Sequence, residues 1–210
     1  MSTLRLVLAS ASPRRRELMA EAGYVFEVVV PRDSVESVEC GICSSGGPAA
    51  LVMELAASKA FDVAAQMKQR GDLSDECLII ACDTVAECRG EILGKPRDEA
   101  HARAMLEVLR GSPHRVYSGL CLWQPLAPTE ASRPDVRLAT SELVMDDISD
   151  DQLDEYLLSG LWRGKAGAFG YQDRPGWLHL TSGSESNVVG LPMELLHEML
   201  AARGLMASGS

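Results

Sequence analysis

No run of this sequence is apolar for long enough to cross a bilayer. Basic residues are also scarce: 20 Lys and Arg stand against 30 Asp and Glu, giving a formal net charge of −10 and a pI near 4.9. Nucleic acids and anionic membranes both need an exposed basic face, so neither is expected as a partner. Several hydrolase and oxidoreductase signatures are missing too. There is no G-x-S-x-G elbow, no H-E-x-x-H pair and no complete dinucleotide fingerprint, and none of the 4 histidines lies near a Ser or Cys nucleophile signature.

No secretory signal is expected. The stretch from Met1 to Arg16 holds Arg5, Arg14, Arg15 and Arg16 and no acid, a composition shared with organelle transit peptides. The same residues spell a strand and a capped helix start, so a cytoplasmic protein is expected. The 6 cysteines are scattered, which fits reduced thiols in a cytosolic compartment. Cys40 and Cys43 have C-x-x-C spacing but sit among Gly and Ser in a loop, with no second Cys/His pair; they read as two incidental thiols.

What is present is ordinary for a soluble globular enzyme: 210 residues, 46% hydrophobic and 24% charged. That length supports one sizeable core or two small lobes sharing a cleft, here taken as one domain over 1–210. Strand-like and helix-like segments alternate, which implies an α/β or α+β fold. Strands are expected at Leu4–Ala9, Tyr24–Val30, Cys77–Cys82, Val116–Trp123, Val136–Met145 and Trp177–Leu180. A hairpin is expected over Thr84–Leu93, turning at Arg89-Gly90. Helices are expected at Pro13–Ala22, Pro48–Arg70, Asp98–Gly111, Ser149–Ser159 and Pro192–Arg203.

One helix start looks wrongly written. In "SASPRRREL", Ser12 and Pro13 suit the N-cap and first turn, yet Arg14, Arg15 and Arg16 follow at the positive end of the helix dipole. Each cation there is misplaced by roughly 0.3–1 kcal/mol. Ser149 shows that the chain can write this feature normally: Asp150 and Asp151 occupy the first turn and Gln152 completes a capping box. An anion bound at the Pro13 helix would resolve the conflict, with Arg14 and Arg15 as contacts and Arg16 facing solvent. On that account, removing Arg14 or Arg15 should not weaken the empty protein.

Other candidates carry two readings each. Asp83 ends the apolar run "LIIACD" and either caps a turn or binds Mg²⁺ and deprotonates a water. Thr84 beside it is a turn residue or a substrate contact. Lys59 falls within the stripe Val52, Leu55, Val63 and Met67, where a lysine ordinarily snorkels outwards but can meet an anion in a cleft. "GEILGKP" is one residue short of a Walker A loop and lacks its Ser/Thr, although Lys95 can still reach phosphate. "GKAGAFGYQD" is either a plain loop or a ligand-binding one, in which Gly167 and Gly170 permit close backbone approach and Gln172 offers a donor and acceptor suited to a pyrimidine edge.

Together these pieces resemble the Maf family of nucleotide pyrophosphatases. The motifs, in order, are "ASASPRR" (Ala9–Arg15), "ELAASKA" (Glu54–Ala60), "CDTV" (Cys82–Val85), "GKPRD" (Gly94–Asp98), "KAGAFGYQ" (Lys165–Gln172) and "NVVGLP" (Asn187–Pro192). Any one is weak; the ordered set is specific and covers nearly the whole chain.

The resemblance implies a mixed twisted β-sheet flanked by helices, with two lobes around a central cleft, as in Maf and ITPase proteins. It implies hydrolysis of a nucleoside triphosphate to the monophosphate and pyrophosphate with Mg²⁺ or Mn²⁺, and it is compatible with a homodimer. It makes Asp83 the general base and a metal ligand. Arg14, Arg15, Lys59 and Lys95 hold the triphosphate, and Ser10 and Ser12 line the loop. Arg14, Thr84 and Gln172 match the branch acting on dTTP and UTP. Two departures stand out. "DRPGW" replaces the Gly-rich continuation after Gln172, and Asp33, Glu36 and Glu39 compete for the acidic position after the second strand. The alternatives are action on 7-methyl-GTP or other non-canonical nucleotides, and a non-catalytic nucleotide-binding regulator of cell division.

Overall fold

The structure is a computed structural model and describes residues 4–32, 46–128, 132–173 and 176–205. Asp33, Glu36, Glu39, Cys40 and Cys43 lie outside the described residues. In chain order the elements are β1 (Arg5–Ala9), α1 (Pro13–Glu21), β2 (Phe26–Val28), α2 (Gly47–Gln69), β3 (Cys77–Cys88), β4 (Glu91–Leu93), α3 (Glu99–Leu109), β5 (Pro113–Trp123), β6 (Asp135–Met145), α4 (Asp150–Ser159), β7 (Leu178–Ser182), α5 (Glu185–Val189) and α6 (Met193–Ala201). A 3₁₀ turn at Ala166–Ala168 precedes β7.

The strands form one mixed sheet in the order β2-β1-β3-β5-β6-β7, with β4 paired to the far end of β3. β1 runs parallel to β2 and β3, and the other pairings are antiparallel. The hairpin turns at Arg89-Gly90 as the sequence predicts. Both residues take positive φ, 54° and 86°, as a two-residue turn matching the sheet's twist requires.

The sequence places Asp83 beyond a short strand, but β3 is continuous through it. β5 keeps pairing past that point, from Ile79↔Trp123 to Glu87↔Arg115, so no break occurs. β1 does end there, at Ala9 opposite Ala81. Asp83 is therefore mid-strand in β3 yet just past the end of β1.

The half of the sheet containing β1 is covered on both faces. Leu6, Leu8, Leu78 and Ile80 pack with α6, while Val7, Ile79 and Ala81 pack under Ala56, Ala60 and Val63 of α2. Burial of both faces explains why "CLIIA" reads as an unbroken apolar run. A third cluster lies at the other end, where Ala86, Val116 and Met145 meet Met105 and Leu106 of α3 and Tyr156 of α4. The cleft opens between these cores, the two-lobed arrangement expected.

α2 approaches β5 so closely at Gly119 that a Cβ there would overlap the Val52 carbonyl. Gly119→Ala is expected to destabilise the protein by about 1–3 kcal/mol, since backbone must move to admit the methyl group. Urea unfolding against the wild type measures this.

Candidate active site

The cleft encloses about 780 Å³ and gathers side chains from distant segments. Ser10, Ser12, Arg14 and Arg15 come from the β1–α1 turn, Lys59 from α2, Asp83 and Thr84 from β3, and Lys95 from the segment after β4. Arg163, Gly164, Lys165 and Phe169 also line the cleft. Eight of the nine site residues named from the sequence line this cleft, and Gln172 does not. It lines a neighbouring cavity of about 630 Å³ with Tyr171, Glu185, Ser186 and Glu194. Val189 borders both cavities.

At the cleft floor Lys59 Nζ lies 2.6 Å from Asp83 Oδ1, with both side chains nearly buried. Snorkelling, the ordinary behaviour of a stripe lysine, is thus overturned. The α2 stripe packs against the sheet, and at Lys59 the sheet presents a carboxylate instead of an apolar side chain. A buried pair of this kind costs desolvation of both charges, so its retention points to use of the charges.

Arg15 corrects the dipole argument. Its side chain is buried, and Nε donates to Gly190 O (2.8 Å) while Nη1 donates to Cys82 O (2.7 Å) and Ser10 Oγ (3.4 Å). Nη2 donates to Thr84 Oγ1 at 3.3 Å. The guanidinium therefore ties α1 to β3 and to the end of α5, and carbonyl oxygens supply much of the negative charge that the helix start lacks. Arg14 is half-buried and faces the cleft, and Arg16 is exposed. α4 carries the ordinary start that the sequence predicts, with its Ser149/Gln152 capping box formed.

Thr84 is also anchored. Its Oγ1 shares a hydrogen bond with Ser118 Oγ (2.8 Å) and donates to Gly190 O (3.2 Å). Burial raises the Cys82 thiol pKa despite neighbouring Arg15, which disfavours its thiolate.

Sequence reasoning missed Arg163 and Lys165 as cleft residues. Lys165 lies within a quoted motif, which was the available signal. Arg163 had none: its guanidinium is held 4.6 Å over the Trp162 ring, a contact that spacing does not announce.

Arg15→Ala is expected to lower stability by about 3 kcal/mol, because it removes the guanidinium donor from the buried Cys82 carbonyl and one of the donors from Gly190 O, and leaves a void between α1 and β3. Arg14→Ala should stay within about 0.5 kcal/mol of wild type. Thermal melts of the nucleotide-free proteins separate the two.

Residues 5–203 match the model of the Maf-like protein family. The chain is 48% identical over 200 residues to a dTTP/UTP pyrophosphatase of Rhodopirellula baltica, covering 93% of this chain and 80% of that protein. It is 38% identical over 207 residues to the dTTP/UTP pyrophosphatase of Clostridium acetobutylicum, covering 96% and 99%. A dTTP/UTP pyrophosphatase of Salinibacter ruber is 38% identical over 200 residues, covering 94% and 90%. With a family match running almost end to end over the segments that build this cleft, the chain belongs to the Maf-like protein family.

Proposed function

We propose that this protein is a nucleoside triphosphate pyrophosphatase that hydrolyses dTTP and UTP to the monophosphate and pyrophosphate. The observation that carries the reading is the cleft itself. A near-buried carboxylate, Asp83, sits on its floor, and cations from four separate segments surround it (Arg14, Lys59, Lys95 and Lys165). Its relatives named dTTP/UTP pyrophosphatases support the substrate class.

In this reading Arg14, Lys95 and Lys165 hold the triphosphate, and Ser10 and Ser12 line the turn beneath it. Arg15 shapes that turn and carries positive charge beneath it. Incoming phosphate competes for Lys59, which releases the Asp83 carboxylate to accept a proton from the attacking water. Water adds at the α-phosphorus, the α–β anhydride bond breaks, and pyrophosphate leaves with its charge balanced by the cations. The base extends past Val189 into the neighbouring cavity, where Gln172 meets the pyrimidine edge and Thr84 anchors the intervening wall.

A divalent ion, Mg²⁺ or Mn²⁺, fits this site in one specific way. Among the described residues no group of three His, Cys, Asp or Glu side chains forms a cage, and Asp83 is the carboxylate in the cleft. One carboxylate completed by substrate phosphates suits Mg²⁺. Bound so, the ion would neutralise phosphate charge and polarise the anhydride. No helix among the described residues is long and apolar enough to cross a membrane, and Cys77, Cys82, Cys88 and Cys121 are free thiols. We assign the enzyme to the cytoplasm.

Purified protein with Mg²⁺ should release pyrophosphate from dTTP and UTP with higher kcat/KM than from purine triphosphates or 7-methyl-GTP. Orthophosphate as the sole product would reject the reading. Asp83→Asn should keep nucleotide affinity within about threefold and lose at least about 100-fold in kcat, because the clamp survives and the base does not. Steady-state rates and calorimetric titration with a non-hydrolysable dUTP analogue measure both.

A further inference from the structure

The two cavities share more than a wall. Between Lys165, on the phosphate cleft, and Gln172, in the neighbouring cavity, stands Asp173, whose carboxylate gathers three donors on one oxygen. Tyr156 Oη donates to Asp173 Oδ2 at 2.7 Å, the Gly170 N–H donates to it at 3.1 Å, and the Lys165 ammonium pairs with it. Both members of the ion pair are largely buried, at 12% and 14% side-chain exposure, so solvent screens them little.

The backbone repeats the connection. The Asp173 N–H donates to Gly170 O at 3.0 Å, so the turn Gly170–Asp173 is closed twice, once by main chain and once by carboxylate. Tyr171 and Gln172 are the central residues of that turn. Gly170 must lack a side chain for this to work, since a Cβ there would lie 2.7 Å from Asp173 Oδ2 and 2.8 Å from Lys165 Nζ. Tyr156, fully buried in α4, roots the cluster in the core, and burial followed by the bond to Asp173 pushes its phenol pKa well up. Its hydroxyl is thus a permanent donor.

We propose that Asp173 is a positioning residue that sets base selectivity and substrate affinity together, by fixing Gln172 at the tip of the turn and Lys165 on the cleft wall. This rests on the pyrophosphatase reading. A single carboxylate oxygen then holds the groups meant to meet the two ends of the nucleotide. Lys165 cannot wander without loosening the turn, and the turn cannot open without releasing Lys165. The contribution is geometric, because Asp173 itself lines neither cavity.

The test compares Asp173→Asn, Asp173→Glu and Tyr156→Phe with wild type. Asp173→Asn should weaken binding of a non-hydrolysable dUTP analogue at least tenfold. It should also reduce the dTTP over dCTP ratio of kcat/KM at least tenfold, mainly through KM. Tyr156→Phe removes one donor but leaves the ion pair and the turn, so it should stay within threefold on both measures even where its melting temperature falls. Asp173→Glu should recover affinity in part, because charge is kept. If Asp173→Asn does not fold, Asp173→Gly takes its place. Analogue affinity and base ratio within twofold of wild type would overturn the proposal. Equal losses in Tyr156→Phe would also overturn it, by making the effect one of stability. A wild-type protein that binds the analogue but hydrolyses no triphosphate would reject the pyrophosphatase reading alone, and the affinity comparison would still decide Asp173.

Discussion

β1 stops at Ala9 while its neighbour β3 runs on to Cys88, and this difference in length is the constraint on which the site depends. Had both strands ended together, the turn after β1 would lie over a sheet edge. Instead Ser10–Arg15 rests against continuing β3, and Cys82, Asp83 and Thr84 become the floor beneath it. β5 makes the extension stable by supplying hydrogen bonds on the side that β1 abandons. The missing partner leaves room for Arg15, which bonds to Cys82 O and Thr84 Oγ1 where a strand would otherwise pair.

Charge is organised around that floor in pairs. Lys59 neutralises Asp83 and Lys165 neutralises Asp173, so the cleft concentrates cations on an acidic protein without leaving each one uncompensated. In the function proposed above, triphosphate binding exchanges carboxylate for phosphate partners at Lys59, using charges whose desolvation was met on folding. Arg15 differs from both pairs: its partners are carbonyl dipoles and hydroxyls, which hold it in place but leave its charge unbalanced, a standing attraction for an anion.

Much of the element order was legible because the local signals were strong. Ser149 with Gln152, Arg89-Gly90, and the apolar period of α2 each state their structure within a few residues. The failures fall where local signals are silent. β3 reads as a strand and a separate hairpin because polar Asp83 and Thr84 interrupt its apolar run, and only pairing with β5 shows that it continues. α5, five residues long, has too few positions to display a period, although Ser184 caps it. The expected strand at Tyr24–Val30 shrinks to Phe26–Val28, since β2 is an edge strand whose single neighbour, β1, is itself short.

The sequence by itself determined that the chain is an acidic α/β protein with an out-of-place cluster of arginines at one helix start, and its ordered motifs named the family. Those are properties of composition, of neighbours a few positions apart, and of order along the chain. Which arginine serves structure, where Lys59 points, and how Gln172 is held were decided by tertiary structure alone. Arg15 bonds to Gly190, Lys59 to Asp83, and the turn bearing Gln172 is rooted through Asp173 to Tyr156. These contacts join residues far apart in sequence, and the energy of a buried polar group depends on the partner that folding brings to it.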